Sequence, residues 1–280
     1  VAIGLLNLGI VFYLRDVFHA SPTQVGCLVA VWALSYVFGC LVIRPRTDHI
    51  LPRYLAFGST LSMGIFTLLM QCVPAPDGRP IIFVLHGLTG LSLSHFWPPL
   101  MGWLSMDNEG TELGRTISRY NCFWSTGMIV SPFLAGLFSE VWVRLPLLCA
   151  STLYLLTGVF MAGVAVALPR VRADRQTSAT YGAEEGAGKN RSTPLRFPAW
   201  VGLYSTFFSM SVLGAVFPLA GREELDMSKR LIGLLLLFRS LFNAVGFFGL
   251  GKTAFWHFRP AQMVGGQAVA AAVFFSLAAG

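Results

Sequence analysis

The chain has 280 residues, of which 55% are hydrophobic and only 12% are charged. Soluble globular domains carry about a quarter charged residues, so this composition leaves too little polar surface for a water-soluble fold. The net charge of +7 does not indicate nucleic-acid binding, because the basic residues are spread over the loops between apolar runs rather than gathered in one patch.

The sequence divides into nine apolar runs, most of them close to the length of about 20 residues that a helix needs to cross a bilayer. They are 1–14, 24–43, 54–73, 80–104, 116–138, 145–168, 198–220, 231–251 and 260–280. The predicted fold class is therefore all-α, a polytopic membrane helical bundle. The chain begins at Val1 and ends at Gly280 inside apolar runs, so we expect a fragment that is truncated at both ends.

The longest polar stretch, 169–197, is rich in charged residues, Gly, Ser and Thr, which is the composition of a linker. It separates a six-span unit, 1–168, from three further spans, 198–280. Lys and Arg are about twice as frequent on the side of the spans that holds this linker. For a plasma (inner) membrane, the positive-inside rule then predicts that the linker is cytoplasmic and that the first span runs outward.

Spans two and eight begin with the same pattern. Ser21 and Ser228 are each followed by three residues, a β-branched residue and a glycine, Gly26 or Gly233. Either serine can cap the helix that follows it. The offset of about 207 residues covers six spans, which suggests a parallel duplication of a six-helix unit, a known plan among secondary transporters.

Two local motifs carry a family resemblance. The loop after span two reads RPRTDHILPR, in which Asp48 and Arg53 match the pattern G-x-x-x-D-[RK]-x-G-R-[RK]. Span five reads GMIVSPFLAG, in which Gly127, Pro132 and Gly136 match G-x-x-x-G-P-x-x-G-G. With six spans, a linker and a second set of spans, the chain resembles a major facilitator superfamily transporter. The resemblance implies a 6+6 plan, a gating role for the loop motif, and close helix packing at the span-five motif, which is associated with antiporters.

Arg239 lies near the middle of span eight. A central arginine costs about 2.5–3.5 kcal/mol on insertion scales, so the helix face that it shares with Asn243 should meet a polar cavity. We predict that both residues bind an anionic or carboxylate-bearing group of a substrate; a structural charge paired elsewhere is the alternative. Asn121 and Ser125 on one face of span five, and His95 in span four, are the other candidate substrate-binding residues.

The charged residues within spans say little about coupling. None of the 13 Asp and Glu residues lies mid-span, whereas an intramembrane acid is the usual proton carrier. Any proton coupling would need a histidine, or an acid outside these segments. His86 and His95 of span four are nine residues apart and therefore lie on opposite faces. Trp97, Pro98 and Pro99 should break the helix beside His95.

The leading hypothesis is a secondary transporter that moves a small polar, in particular an anionic, organic solute by alternating access. Efflux of amphipathic or drug-like compounds by antiport, and a non-transporting receptor-like role on the same fold, are the alternatives. No enzymatic activity, metal or cofactor is expected, since no G-x-x-x-x-G-K-[ST] motif and no converging acids and histidines occur. The expected partners are the substrate, the lipid bilayer and a coupled proton or other ion, for a protein that acts as a monomer.

Overall fold

The computed structural model describes residues 1–47, 49–105, 110–167, 196–251 and 260–279, which are almost entirely helical. The predicted all-α class is confirmed, because these ranges contain helices and no strands. Ten α-helices lie in them: α1 (Ala2–Phe18), α2 (Pro22–Phe38), α3 (Pro52–Cys72), α4 (Arg79–Leu93), α5 (Trp97–Ser105), α6 (Gly110–Val141), α7 (Leu145–Ala167), α8 (Arg196–Glu223), α9 (Lys229–Gly251) and α10 (Pro260–Ala279). A π turn (Gly39–Ile43) and a 3-10 turn (Arg44–Thr47) continue α2.

The helices follow the predicted apolar runs in order. Five stretches are long and apolar enough, by length and composition, to cross a membrane: Pro22–Thr47, Pro52–Cys72, Arg79–Gly102, Arg115–Val141 and Leu145–Val164. The predicted break in span four is confirmed, since α4 ends at Leu93 and α5 begins at Trp97. Pro98 and Pro99 fall in the first turn of α5, where a missing backbone N–H leaves no hydrogen bond unmade.

Several helices extend beyond the predicted spans. Arg15, just past the predicted run 1–14, belongs to the last turn of α1, and Arg115, just before the run 116–138, belongs to α6. Hydropathy marks the part of a helix that sits in hydrocarbon, whereas the helix itself continues into the polar interface. Asp48 and almost all of the predicted linker 169–197 lie outside the described residues.

Both serines of the predicted repeat cap a helix. At the start of α2, the Gln24 backbone N–H donates to Ser21 Oγ at 3.3 Å, and the Ser21 N–H donates to Gln24 Oε1 at 2.9 Å. At the start of α9, the Leu231 N–H donates to Ser228 Oγ at 3.1 Å. The predicted caps are confirmed, and each satisfies a backbone donor that an uncapped helix would leave without a partner.

Removing a cap gives a small, testable loss of stability. We expect Ser21→Ala to lower the free energy of unfolding by about 1 kcal/mol, because the capping box loses its side-chain acceptor. Thermal unfolding in detergent measures the change. Ser62→Ala is the matched control, since the Ser62 hydroxyl only donates to the Gly58 carbonyl within α3. Equal losses in the two variants would contradict a role for the cap.

Helix α1 lies at the centre of the core. It packs against α6, α7 and α8, and most of its residues are buried on every side. Two glycines allow this close packing: a Cβ at Gly4 would overlap the Ser131 side chain of α6, and one at Gly9 would lie 2.6 Å from Pro146 Cβ of α7. The Tyr13 hydroxyl donates to the Met70 carbonyl of α3 at 3.1 Å, and this hydrogen bond links α1 to α3.

Candidate functional site

Four helices contact one another in a closed cycle. Helix α1 contacts α6, α6 contacts α9, α9 contacts α8, and α8 contacts α1. We refer to α1, α6, α8 and α9 as the four-helix ring. The ring joins two helices from each side of the predicted linker, so the position of a polar side chain relative to its interior decides whether that residue can meet a solute.

The contact between α6 and α9 fixes how the two helices are aligned. A Cβ at Gly233 would lie 2.6 Å from the Pro132 carbonyl oxygen and 3.2 Å from Gly136 Cα. Nearer the helix ends, the Lys229 ammonium donates to the Ser139 carbonyl at 3.2 Å. Small residues on both helices thus bring the two backbones into direct contact, and the helices run antiparallel.

This alignment relates the depths of the predicted site residues on α6 and α9. Arg239 and Asn243 lie about 9 Å and about 15 Å beyond Gly233 along α9. Gly233 is level with the α6 segment between Pro132 and Gly136. Because α6 runs antiparallel, Arg239 is then level with about Met128, and Asn243 is level with about Trp124. Ser125 is therefore level with Asn243 and about one turn from Arg239, whereas Asn121 lies about 5 Å beyond Asn243 and about two turns from Arg239.

On α6, the polar pair points away from the outer surface. Phe123 is 81% exposed and shares an apolar stripe with the exposed Val130 and Val141, which marks the lipid-facing side of this helix. Asn121 is also exposed, yet it lies about 160° around the helix from Phe123. It therefore lies on the side of α6 between the residues that meet α1 and those that meet α9. Ser125 lies on the side of α6 that meets α9, two turns from Pro132.

On α9, Arg239 and Asn243 flank the contact with α6. Ile232 is fully buried and lies beside Gly221 of α8, where an added Cβ would be 3.5 Å from Ile232 Cγ1. Arg239 and Asn243 lie seven and eleven residues further on, within about 20° of Ile232 around the helix. They therefore lie on the side of α9 that, at Ile232, meets α8.

The Arg239 guanidinium is the most unusual group at this site. Its Nη1 atom is buried and has no hydrogen-bond partner among the described residues. A buried charged donor without a partner is costly, and such groups are rare in folded proteins. Asn243, by contrast, is exposed on the same side of the helix. The arrangement combines one unsatisfied cation with accessible amide groups.

His95 is bound within its own helix turn. It lies in the break between α4 and α5, where its Nδ1 is 3.1 Å from Ser94 Oγ and 3.2 Å from the Leu91 carbonyl. Helix α4 packs against α2 and α3. His86, on the opposite face of α4, is buried and stacks on Trp32 of α2 with ring centroids 6.4 Å apart. Among the described residues, no group of three or more His, Cys, Asp or Glu could hold a metal ion.

The span-five motif contacts two different helices. Gly127 faces α1, since a Cβ there would lie 2.9 Å from the Val1 nitrogen, whereas Pro132 and Gly136 face α9. Nine residues separate the two glycines, which places them on opposite sides of α6. In the loop motif, the Arg53 guanidinium lies 4.9 Å from the centre of the Tyr54 ring at the start of α3.

One end of the ring is closed by ion pairs that sequence reasoning missed. Arg15 Nε of α1 lies 2.6 Å from Glu223 Oε1 of α8. Asp16 of α1 pairs with Lys229 of α9, an ammonium that is buried. The sequence does show opposite charges at the ends of spans one, seven and eight. The partners lie more than 200 residues apart, however, so no local pattern pairs them.

Further polar contacts reinforce this closed end. The Arg230 backbone N–H donates to Glu140 Oε1 of α6 at 2.9 Å. A cavity of about 490 Å³ lies beside the ion pairs, lined by Arg15, Asp16, His19, Arg222 and Glu223. The polar groups of the candidate site thus lie about three turns away from the closed end, toward the opposite mouth of the ring.

Comparison with known proteins agrees with these observations. The family model described as Major Facilitator Superfamily matches residues 1–280, the whole chain. None of the curated proteins compared with the chain matches it. The family match covers both sequence motifs and all four helices of the ring.

Proposed function

This chain belongs to the major facilitator superfamily of membrane transporters, and we propose that it moves a small polar, anionic organic solute by alternating access. The observation that carries the proposal is the buried Nη1 of Arg239, which has no hydrogen-bond partner among the described residues. A carboxylate can satisfy a guanidinium through two parallel hydrogen bonds. An anionic group therefore supplies the partner that the described residues do not.

The neighbouring polar groups would orient the solute. Asn243 on α9 and Asn121 on α6 are exposed at depths about 5 Å apart, and each amide offers both a donor and an acceptor. Ser125 adds a hydroxyl on the side of α6 that faces α9. Together they suit a solute that carries hydroxyl, amino or carbonyl groups beside its negative charge.

The ion pairs suggest which side the site faces in this conformation. The pairs Arg15–Glu223 and Asp16–Lys229 close the end of the ring at which α1 ends. By the positive-inside rule, the excess of Lys and Arg on the linker side favours an extracellular position for that end, and the site would then be open to the cytoplasm. Transport would require these contacts to separate while the cytoplasmic ends of the helices approach one another.

Efflux of amphipathic compounds is the second candidate function. It is favoured by the antiporter-associated motif Gly127, Pro132 and Gly136. In the structure, however, these glycines allow α1 and α9 to approach α6, and this packing accounts for them without any antiport. A pocket for lipophilic cations would also gain nothing from the Arg239 guanidinium, which repels a positive charge.

A thermal-shift screen of the purified protein in detergent distinguishes the two candidates. The panel contains small carboxylates, sugars, amino acids and lipophilic cations. A ligand at 100 times its Kd should stabilise the protein by about 2.7 kcal/mol. We expect a carboxylate to stabilise the wild type and the control Arg230→Ala, an arginine of the same helix outside the site, but not Arg239→Ala. Stabilisation by lipophilic cations that survives Arg239→Ala would overturn the proposal in favour of efflux.

A further inference from the structure

Helices α2 and α4 form a parallel pair that stays in register. At their first turns, Arg79 Nη1 of α4 lies 3.5 Å from Gln24 Oε1 of α2. Further along, Gly39 at the end of α2 meets Ser94 at the end of α4, where an added Cβ on the glycine would overlap the serine side chain. Both contacts join residues that are 55 positions apart in sequence, so the two helices advance side by side without slipping.

Between these two contacts the pair is closely packed. A Cβ at Gly90 of α4 would overlap the Trp32 carbonyl of α2, and one at Gly87 would lie 3.1 Å from Ser35 Oγ. The His86 ring also stacks on the Trp32 indole. Backbones that approach this closely through glycines interlock, so α2 and α4 are expected to move as one body.

Both helices lose their α-helical geometry where Gly39 meets Ser94. Helix α2 passes into the π turn Gly39–Ile43, and α4 ends at Leu93. A π turn is a poorer hydrogen-bonding arrangement than the helix around it and is frequent at functional sites. The two irregularities lie at one depth of a pair that is regular up to that point, so the backbone can yield there in both helices.

The hydrogen bonds across the break in span four hold α5 only weakly to α4. The backbone N–H groups of His95 and Phe96 donate to carbonyls three residues back, at 3.0 Å, instead of the four residues of an α-helix. Pro98 and Pro99 have no N–H and cannot donate to the carbonyls four residues before them. Past the break, α5 packs against α3 and α6.

Aromatic contacts hold α5 in its present position. Trp97, the first residue of α5, packs edge-on against Trp124 of α6 with ring centroids 4.8 Å apart. It also meets Tyr120 of α6 at 5.9 Å. These contacts lie past the break, so they restrain α5 without restraining α4.

We infer that α5 is a hinged segment, which swings relative to the rigid α2–α4 pair about the contact of Ser94 with Gly39. Its role rests on the proposed function. In the orientation proposed above, α5 forms the cytoplasmic end of span four, and that end of the bundle has to close during transport. Bending at the hinge moves α5 toward closure without displacing α4, and the contacts of Trp97 with α6 hold the open position.

Hydrogen–deuterium exchange of the purified protein in detergent tests the hinge, because segments that open separately exchange at separate rates. The double variant Pro98→Ala, Pro99→Ala restores the missing N–H groups and joins α5 to α4. It should slow exchange in 100–105 by about 10-fold. Pro80→Ala is the matched control, since Pro80 lies in the first turn of α4 with no helix before it to join, and exchange in 81–92 should stay unchanged.

A second variant tests the aromatic contacts. Trp97→Ala should speed exchange in 100–105 by about 2- to 10-fold, as expected for the loss of an aromatic pair, and should leave 81–92 unchanged. Trp142→Ala, at an exposed tryptophan just past the other end of α6, should alter neither segment.

The outcomes separate the hinge from the proposed function. If the double proline variant leaves exchange in 100–105 unchanged, or if Trp97→Ala speeds exchange in 81–92 as much as in 100–105, then α4 and α5 move together and the hinge is refuted. Either result leaves anion transport standing. If instead the hinge is found but no carboxylate stabilises the wild type in the thermal-shift screen, the proposed function and the gating role of α5 are both refuted.

Discussion

Replacing Asp16 with Asn should lower the free energy of unfolding by about 3 kcal/mol, the low end of the cost of breaking a buried ion pair. The reason is the environment of its partner. Lys229 is only 8% exposed, and besides pairing with Asp16 its ammonium donates to the Ser139 carbonyl. Without the carboxylate, the positive charge remains buried with its main counter-ion gone. Chemical or thermal unfolding in detergent measures the loss.

Two further variants separate the ion pair from simple loss of charge. The double variant Asp16→Asn, Lys229→Met should recover much of the stability, because an apolar side chain replaces the buried ammonium at little net cost. Arg15→Gln should cost less than about 1 kcal/mol, because the Arg15–Glu223 pair is about one-third exposed on each side and is screened by water. An Asp16→Asn protein no less stable than Arg15→Gln would refute the burial argument.

Local features of the fold could be predicted from sequence, because they depend on neighbouring residues. The caps at Ser21 and Ser228 need only a serine placed before a helix, and the break before Trp97 follows from two prolines. Helix ends were predicted less well. Arg15 and Arg115 are charged, so hydropathy assigned them to loops, although the backbone stays helical past the apolar run.

The candidate site could be predicted only in part. The shared face of Arg239 and Asn243 follows from their spacing of four residues. Their depth relative to Ser125 and Asn121 depends on the antiparallel alignment of α6 and α9, which is set where Gly233 meets Gly136. That contact joins residues nearly 100 positions apart, and no local pattern encodes it.

The same limitation applies to the ion pairs and to the contact between Trp97 and Trp124. Asp16 and Lys229 are separated by 213 residues, and their partnership depends on α1 and α9 meeting at one end of the ring. Trp97 and Trp124 belong to different spans, and their contact requires the break that frees α5 from α4. Sequence spacing identifies residues that share a helix face, whereas helix packing decides which faces meet.

Gly233→Ala should destabilise the protein by about 1–3 kcal/mol, the usual cost of overpacking, although alanine is the better helix former by about 1 kcal/mol. The added Cβ would lie 2.6 Å from the Pro132 carbonyl oxygen and 3.2 Å from Gly136 Cα. Both are backbone-held atoms that cannot rotate away, so α6 and α9 would have to separate. Unfolding in detergent measures the change.

Gly214→Ala is the matched control, because a Cβ at Gly214 of α8 would meet no atom within 4 Å. It should stabilise the protein by up to about 1 kcal/mol through helix propensity alone, so the two substitutions are expected to have opposite signs. If Gly233→Ala stabilised as Gly214→Ala does, the backbones of α6 and α9 would not be in contact. The alignment that brings Arg239 and Asn243 level with Ser125 and Trp124 would then fail as well. A destabilised Gly233→Ala variant that also binds carboxylates more weakly, with Arg239 intact, would show that this crossing holds the two halves of the site at one depth.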